Sequence, residues 1–244
     1  MIAVVSDIHG NLPAFDAVLA DIDAHGAERI WCLGDTTGYG PFVNECLQRV
    51  MQRCEIVLAG NHDLAVRGDA DLAAFGGTAG VGVEYARSVI DANSSTFLAG
   101  LHPARTLEGV ELYHASSRDP VWEYVRSEQS ATMHLCSQGT PLSFVGHSHI
   151  QLTFALAAAD TRATAEGGPV QHGAIVHLRD DERRVINPGS VGQPRDRDPR
   201  AAWALVEPGR VTMLRVAYDI EAMRAAVRDA GLPGEVGERL ELGW

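Results

Sequence analysis

The sequence predicts an α/β fold with two sheets, and three observations carry that prediction. The first sixty residues alternate short apolar runs with amphipathic stretches, the signature of a sheet with crossover helices. From residue 109 the texture changes to short strand-like runs separated by turns. These read as a second, largely antiparallel sheet. No Gly/Ser-rich or Pro-rich linker, low-complexity block or internal repeat interrupts the 244 residues, so residues 1–244 read as one domain.

Each element has its own signal. "IAVV" (residues 2–5) is a short β-branched run and reads as a buried first strand. "NLPAFDAVLADIDAHG" sets Leu12, Phe15, Val18, Leu19 and Ile22 on one helical face, with Asn11 placed to cap the start and Gly26 the end. "RIWCLGD" is the second strand, "PFVNECLQRVMQRC" the second helix and "EIVLAGNHD" the third strand. Residues 71–108 read as mostly helical, loosened early by Gly76, Gly77, Gly80 and Gly82. Seven strand-like runs follow: "GVELYHA", "LSFVGHSH", "IQLTFALA", "GAIVHL", "RRVINPG", "AAWALVE" and "RVTMLRV". The last stretch, from Asp219, returns to helix, with Pro233 restarting the chain after Gly231.

Composition excludes some functions. A formal charge of −12 makes stable nucleic-acid binding unexpected, because phosphate contacts need clustered Lys and Arg. No run of 18 apolar residues exists to cross a membrane. "IAVV" followed by polar "SDIHGN" is too short for a signal peptide. The four cysteines form no CxxC pair and read as free thiols, so a cytoplasmic location is expected. The oligomeric state is left open.

The chemistry-bearing residues sit where the strand-like runs stop. They are Asp7 and His9, then Asp35, then Asn61 and His62 with Asp63, then His114, and finally His147 and His149. His147 and His149 interrupt an apolar run at i and i+2, and burying two unpartnered imidazoles is costly. Open α/β sheets bind ligands beyond the carboxyl ends of their strands, so the clusters should converge. Carboxylate, imidazole and amide oxygen suit a borderline divalent cation such as Mn, Fe, Zn or Ni, and the absence of cysteine argues against a structural zinc. Seven candidate ligands suit two ions with one bridging carboxylate, a device for attacking phosphate esters.

"DIHGN", "GD", "GNHD", a later strand histidine and "GHSH", in this order, resemble the calcineurin-like metallophosphoesterase superfamily from Ser6 to about Gly192. "INPGSVGQPRDRDPRAAWAL" resembles a loop of its smaller bacterial members, those described as predicted phosphodiesterases. The resemblance implies two stacked mixed β-sheets flanked by α-helices. It implies two divalent transition metal ions, with Mn placed first and Fe, Zn or Ni as alternatives. Asp7, His9 and His149 would hold one ion, Asn61, His114 and His147 the other, and Asp35 both. His62 would be the acid. The expected activity is hydrolysis of a phosphodiester or small phosphate ester by direct attack of a metal-bridging hydroxide.

One departure matters. Where protein Ser/Thr phosphatases carry GDxxDRG, this chain reads "GDTTGYGP", with Gly38 for the second aspartate and Tyr39 for the arginine. The missing guanidinium speaks against protein phosphatase activity. A replacement is expected among Arg195, Arg197 and Arg200, with Arg195 first, while Ser190 and Tyr39 are further candidates to meet substrate. Asp63 is a candidate to support His62. The alternatives are a phosphomonoesterase, a dinucleoside polyphosphate hydrolase, or a non-catalytic metal-binding scaffold. His25, His102, His134, His172 and His177 read as structural or exposed.

Overall fold

The computed structural model describes residues 1–157 and 163–244. The chain begins β1 (Ile2–Val5), α1 (Leu12–Ala24), β2 (Arg29–Cys32), α2 (Val43–Arg53), β3 (Ile56–Val57) and α3 (Asn61–Arg67). A 3₁₀ turn at Leu72–Ala74 precedes α4 (Gly77–Val89) and α5 (Ala92–Ala99). Then come β4 (Ala104–Leu107), β5 (Val110–Tyr113), α6 (Glu128–Ser137), β6 (Leu142–Phe144), β7 (Gln151–Ala157) and β8 (Glu166–Pro169). The rest is β9 (Ile175–His177), β10 (Glu182–Pro188), β11 (Ala201–Glu207), β12 (Arg210–Val216), α7 (Ile220–Asp229) and α8 (Gly234–Leu242).

Two six-stranded mixed sheets form, ordered β3-β2-β1-β11-β12-β9 and β4-β5-β6-β10-β7-β8. Side chains alternate across a strand, and that alternation stacks the sheets. In β1, Val4 joins Leu112, Phe144, Ile186 and Met213 in the core between the sheets. Ala3 and Val5 face the opposite way, onto Phe15, Val18 and Ile22 of α1. Strands buried on both faces read as continuous apolar runs, which is why "IAVV" carries no polar residue. On the outer face of the second sheet, Ala131 and Leu135 of α6 pack on Leu152, Phe154 and Val185.

Asn11 caps the first helix as expected, and Asp219 does the same for α7. The Asn11 side chain accepts from Ala14 N, and that of Asp219 from Ala222 N. Three expectations need correction. Residues 104–107 are not helical: β4 forms an antiparallel hairpin with β5, turned at Gly109 with φ +77°. The later strands do not build a separate antiparallel sheet. β11 pairs antiparallel with the free edge of β1 and brings β12 and β9 into the first sheet. The second sheet is mixed, since β6 runs parallel to both β5 and β10. α6 and β8 are additional elements. The buried face of α6 includes His134, so its apolar periodicity is weak.

Candidate metal centre

Parallel pairing aligns the carboxyl ends of β1, β2 and β3 in one sheet and of β5 and β6 in the other. The loops leaving these five ends carry all seven candidate ligands into one place, each at most 6% exposed. The backbone is bent to deliver them. Asp7, His9, Asp35, His147 and His149 all have φ between +50° and +62°. Such left-handed geometry is uncommon for non-glycine residues and clusters at functional sites. A Cβ on Gly60 would overlap the Asp35 carboxylate, so only glycine lets the third loop pass so close.

Three histidines are oriented from behind. The Nδ1 of His9 lies 3.0 Å from Thr37 O, that of His114 2.9 Å from Leu33 O, and that of His149 2.7 Å from Gln193 O. Each Nδ1–H therefore donates to a carbonyl, which leaves Nε2 as a lone-pair acceptor. These acceptors face one another. His9 Nε2 is 3.1 Å from His149 Nε2, and His149 Nε2 is 3.3 Å from Asp7 Oδ1, a buried oxygen without a hydrogen bond. His114 Nε2 lies 3.1 Å from Asn61 Oδ1 and 3.5 Å from Asp35 Oδ2. Opposed acceptors with no proton between them are satisfied by a shared cation, so the residues fit metal ions. Asp7, His9 and His149 form one group able to hold an ion, and Asp35, His114 and His147 another; a third, His9, Asp35 and His62, overlaps both. Asp35 Oδ2 also lies 3.7 Å from His9 Nε2, so this carboxylate stands between the groups.

The electrostatics agree. Burial first, then nearby imidazoles and Arg195, push His9, His62 and His147 well below the usual imidazole range, and burial with Arg195 lowers His149. Neutral imidazole is the ligating form. Burial, then Asp63 and Asp7, push Asp35 well above the usual carboxylate range. Burial also acts to raise Asp7, but His149, His114 and His9 outweigh it and leave Asp7 low. A buried carboxylate disfavoured by like charges is relieved by a bound divalent ion.

Above the clusters lies a cavity of about 280 Å³. Asp35, Asn61, His147 and His149 line its inner side, with His62, Tyr39 and Arg195 beside them. Arg195 Nη2 donates to Tyr39 Oη at 3.2 Å and to Gln193 Oε1 at 2.9 Å, while its Nε has no partner. Of the three arginines considered, Arg195 alone lines this cavity. Arg200 pairs with Asp198 at 2.7 Å, and Arg197 lies over the Trp244 ring. His62 packs edge-on against His9 and Phe75, and its Nδ1 has no partner.

Two expectations fail here. Ser190 does not reach the cavity: its buried hydroxyl donates to Asp7 O and accepts from Gln193 N, both at 2.8 Å. It holds the Asp7 loop to the loop after β10. Asp63 does not support His62. Its carboxylate accepts from the N–H groups of Gly60, Thr36 and Thr37 and from the Thr37 hydroxyl, tying the second and third loops together.

Sequence reasoning also missed some residues that build the site. The orienting carbonyls of Thr37, Leu33 and Gln193 carry no signal, because any residue supplies a carbonyl. Asn187 lies near the end of a strand-like run with no pattern to mark it, yet its amide donates to Gly146 O and Ser148 Oγ and holds the loop after β6. Phe75, Trp122 and Tyr124, which complete the cavity wall, lie on loops without periodicity.

Known proteins resemble this chain along its whole length. The chain is 35% identical over 251 residues to an uncharacterized protein of Methanocaldococcus jannaschii, a match covering 100% of this chain and 98% of that protein. The crystal structure of a metallophosphoesterase from Sphaerobacter thermophilus superposes with a TM-score of 0.88 at 35% identity, covering 100% of this chain and 98% of the other. A hypothetical protein of Pyrococcus horikoshii OT3 shares the fold, with a TM-score of 0.76 at 19% identity over 100% and 99% of the two chains. The model of the calcineurin-like phosphoesterase superfamily domain matches residues 1–210, the span that contains every strand-end cluster. With five loops delivering overlapping groups of metal-competent side chains on this fold, the chain belongs to the calcineurin-like phosphoesterase superfamily.

Proposed function

We propose that this chain is a two-metal phosphoesterase that hydrolyses a phosphodiester or small phosphate ester. The observation that carries the reading is the pair of opposed-acceptor clusters sharing Asp35 under a cavity that also holds Arg195. Asp7, His9 and His149 would hold one divalent ion, Asn61, His114 and His147 the second, and Asp35 both. Mn is the first metal to test. Such a pair supplies a hydroxide nucleophile at neutral pH and polarises the phosphoryl oxygens. Arg195, braced by Tyr39 and Gln193, would fix the phosphate, and His62, held neutral, would donate a hydrogen bond from its ring N–H to the leaving oxygen or the transition-state phosphate.

Arg195 also supports a second reading, phosphomonoesterase activity, because a guanidinium is present despite Gly38 and Tyr39. One assay separates the two. The protein is stripped with chelator, reloaded with Mn²⁺, and given a bis-aryl phosphate diester and the matching aryl monoester. We expect a diester preference, and Asp35→Asn should lower kcat by roughly 10³-fold or more while the protein stays folded. A monoester preference selects the second reading. Near-normal turnover by the variant would remove Asp35 from its bridging role.

A further inference from the structure

We infer that the mouth of this cavity is a stacking site for the base of a nucleoside phosphate, an inference that rests on the phosphoesterase reading and narrows its substrate. The chain has only 4 Trp, 5 Tyr and 6 Phe in 244 residues, yet Tyr39, Phe75, Trp122 and Tyr124 all line this one cavity. Tyr39 braces Arg195 at the inner end. Tyr124 is already stacked, lying 4.1 Å from His147 at 9° with the Arg126 guanidinium over its ring. The available corner is made by Phe75 and Trp122, which come from different loops and meet at 5.5 Å between centroids and 60° between planes. A planar ring entering there stacks on one and meets the other obliquely, an arrangement aromatic groups favour.

The corner is open and held in place. A Cβ on Gly76, which lines the cavity beside Phe75, would meet nothing within 4 Å. Trp122 is 38% exposed and belongs to none of the packed cores among the described residues. Its loop is fixed without it: Asp119 Oδ1 accepts from Val121 N and Trp122 N, and Val125 is buried beneath. An indole left half in water on a pre-set loop, at the entrance to a phosphate-ester site, is a preformed surface for a flat ring. The volume of about 280 Å³ holds a mononucleotide-sized group and not a folded protein loop.

The test compares adenosine 5′-monophosphate with ribose 5-phosphate, which has an anomeric hydroxyl in place of the base, by calorimetry on the Mn²⁺-loaded protein. Stacking a base on an aromatic side chain should give the nucleotide roughly tenfold or greater preference. Trp122→Ala should collapse that preference toward one, and Trp122→Phe, which keeps a ring, should restore most of it. Gly76→Val should also reduce it by filling the corner. The methyl esters of the same two phosphates should show the same ratio in kcat/KM. Equal binding of the two ligands overturns the inference, as does a nucleotide preference untouched by Trp122→Ala. A Trp122-dependent preference without turnover of any ester supports the site and defeats the phosphoesterase reading. Turnover with no base preference does the reverse.

Discussion

On the proposed reading Arg195 is the residue on which phosphate recognition would turn, and Gly38 shows why that guanidinium would come from so far along the chain. Gly38 has φ +93°, and a Cβ there would overlap Nδ1 of His62. The aspartate found at this position in the GDxxDRG pattern has no room here, and the arginine that follows it is Tyr39. The guanidinium instead arrives from the loop after β10, with Tyr39 Oη accepting from it at 3.2 Å. Its Nε is buried and has no hydrogen-bond partner among the described residues. Charge-assisted hydrogen bonds contribute about 1.5–3 kcal/mol each. Arg195→Ala should therefore lower kcat/KM by roughly 10- to 150-fold, mostly through KM. Arg195→Lys should recover only part of this, because a point charge does not reproduce the guanidinium fork. Steady-state kinetics on the preferred ester checks both. Unchanged kinetics in Arg195→Ala would show that the cavity binds phosphate without a clamp.

At the scale of the element, α6 shows a buried polar device that the surface pattern conceals. His134 lies on its inner face and is fully buried. Its Nδ1 accepts from Ser117 N at 3.0 Å, so the proton sits on Nε2, which donates to Ser143 Oγ at 2.8 Å. Ser143 in turn donates to Gln138 Oε1 at 2.7 Å. The chain ties α6 to β6, the strand that delivers His147 and His149. Protonating Nδ1 would break the bond to Ser117, and burial lowers the His134 pKa to about 4. An unfolded histidine titrates near 6.5. The unfolded chain thus binds the extra proton between these values, and stability falls as pH drops from about 6.5 to about 4. From pH 7 to pH 5 this residue alone should remove about 2 kcal/mol. Other depressed histidines add their own losses, so the measurement is a difference. Denaturant midpoints at both pH values should show a smaller drop in His134→Asn than in the parent. Equal drops would mean that His134 does not titrate in this window.

Across the whole molecule, much of the architecture was legible because chemistry and periodicity coincide at strand ends. The alternation of apolar runs with helical stretches marks β1, β2 and β3. The same runs stop at Asp7, Asp35 and Asn61 because the loops beyond buried strands are where polar side chains can meet a ligand. Pairing was not legible in the same way. "AAWALVE" looks like any buried strand, and only tertiary contact puts it against β1 and not in the other sheet. The aromatic corner was hidden for a related reason, since Phe75 and Trp122 are brought together by loops without period. The topology has a consequence for stability. Asp7, His9 and Asp35 leave the first sheet, whereas His114, His147 and His149 leave the second, so the Asp7–His9–His149 group and the Asp35–His114–His147 group each draw on both sheets. Ions held there would cross-link the sandwich at one end, and an ion that binds only the folded chain stabilises it by mass action. At a thousandfold excess over Kd this is about 4 kcal/mol, or a rise in Tm on the order of 10 °C for a chain of this size. Chelation should therefore lower Tm by that amount, and Mn²⁺ should restore it. Asp35→Asn, which on the proposed bridging role weakens both sites at once, should lose most of the response, while a cysteine variant on the exposed surface, Cys136→Ser, should keep it. A Tm indifferent to chelator and to added metal in the parent protein would show that the two sheets close without ions between them.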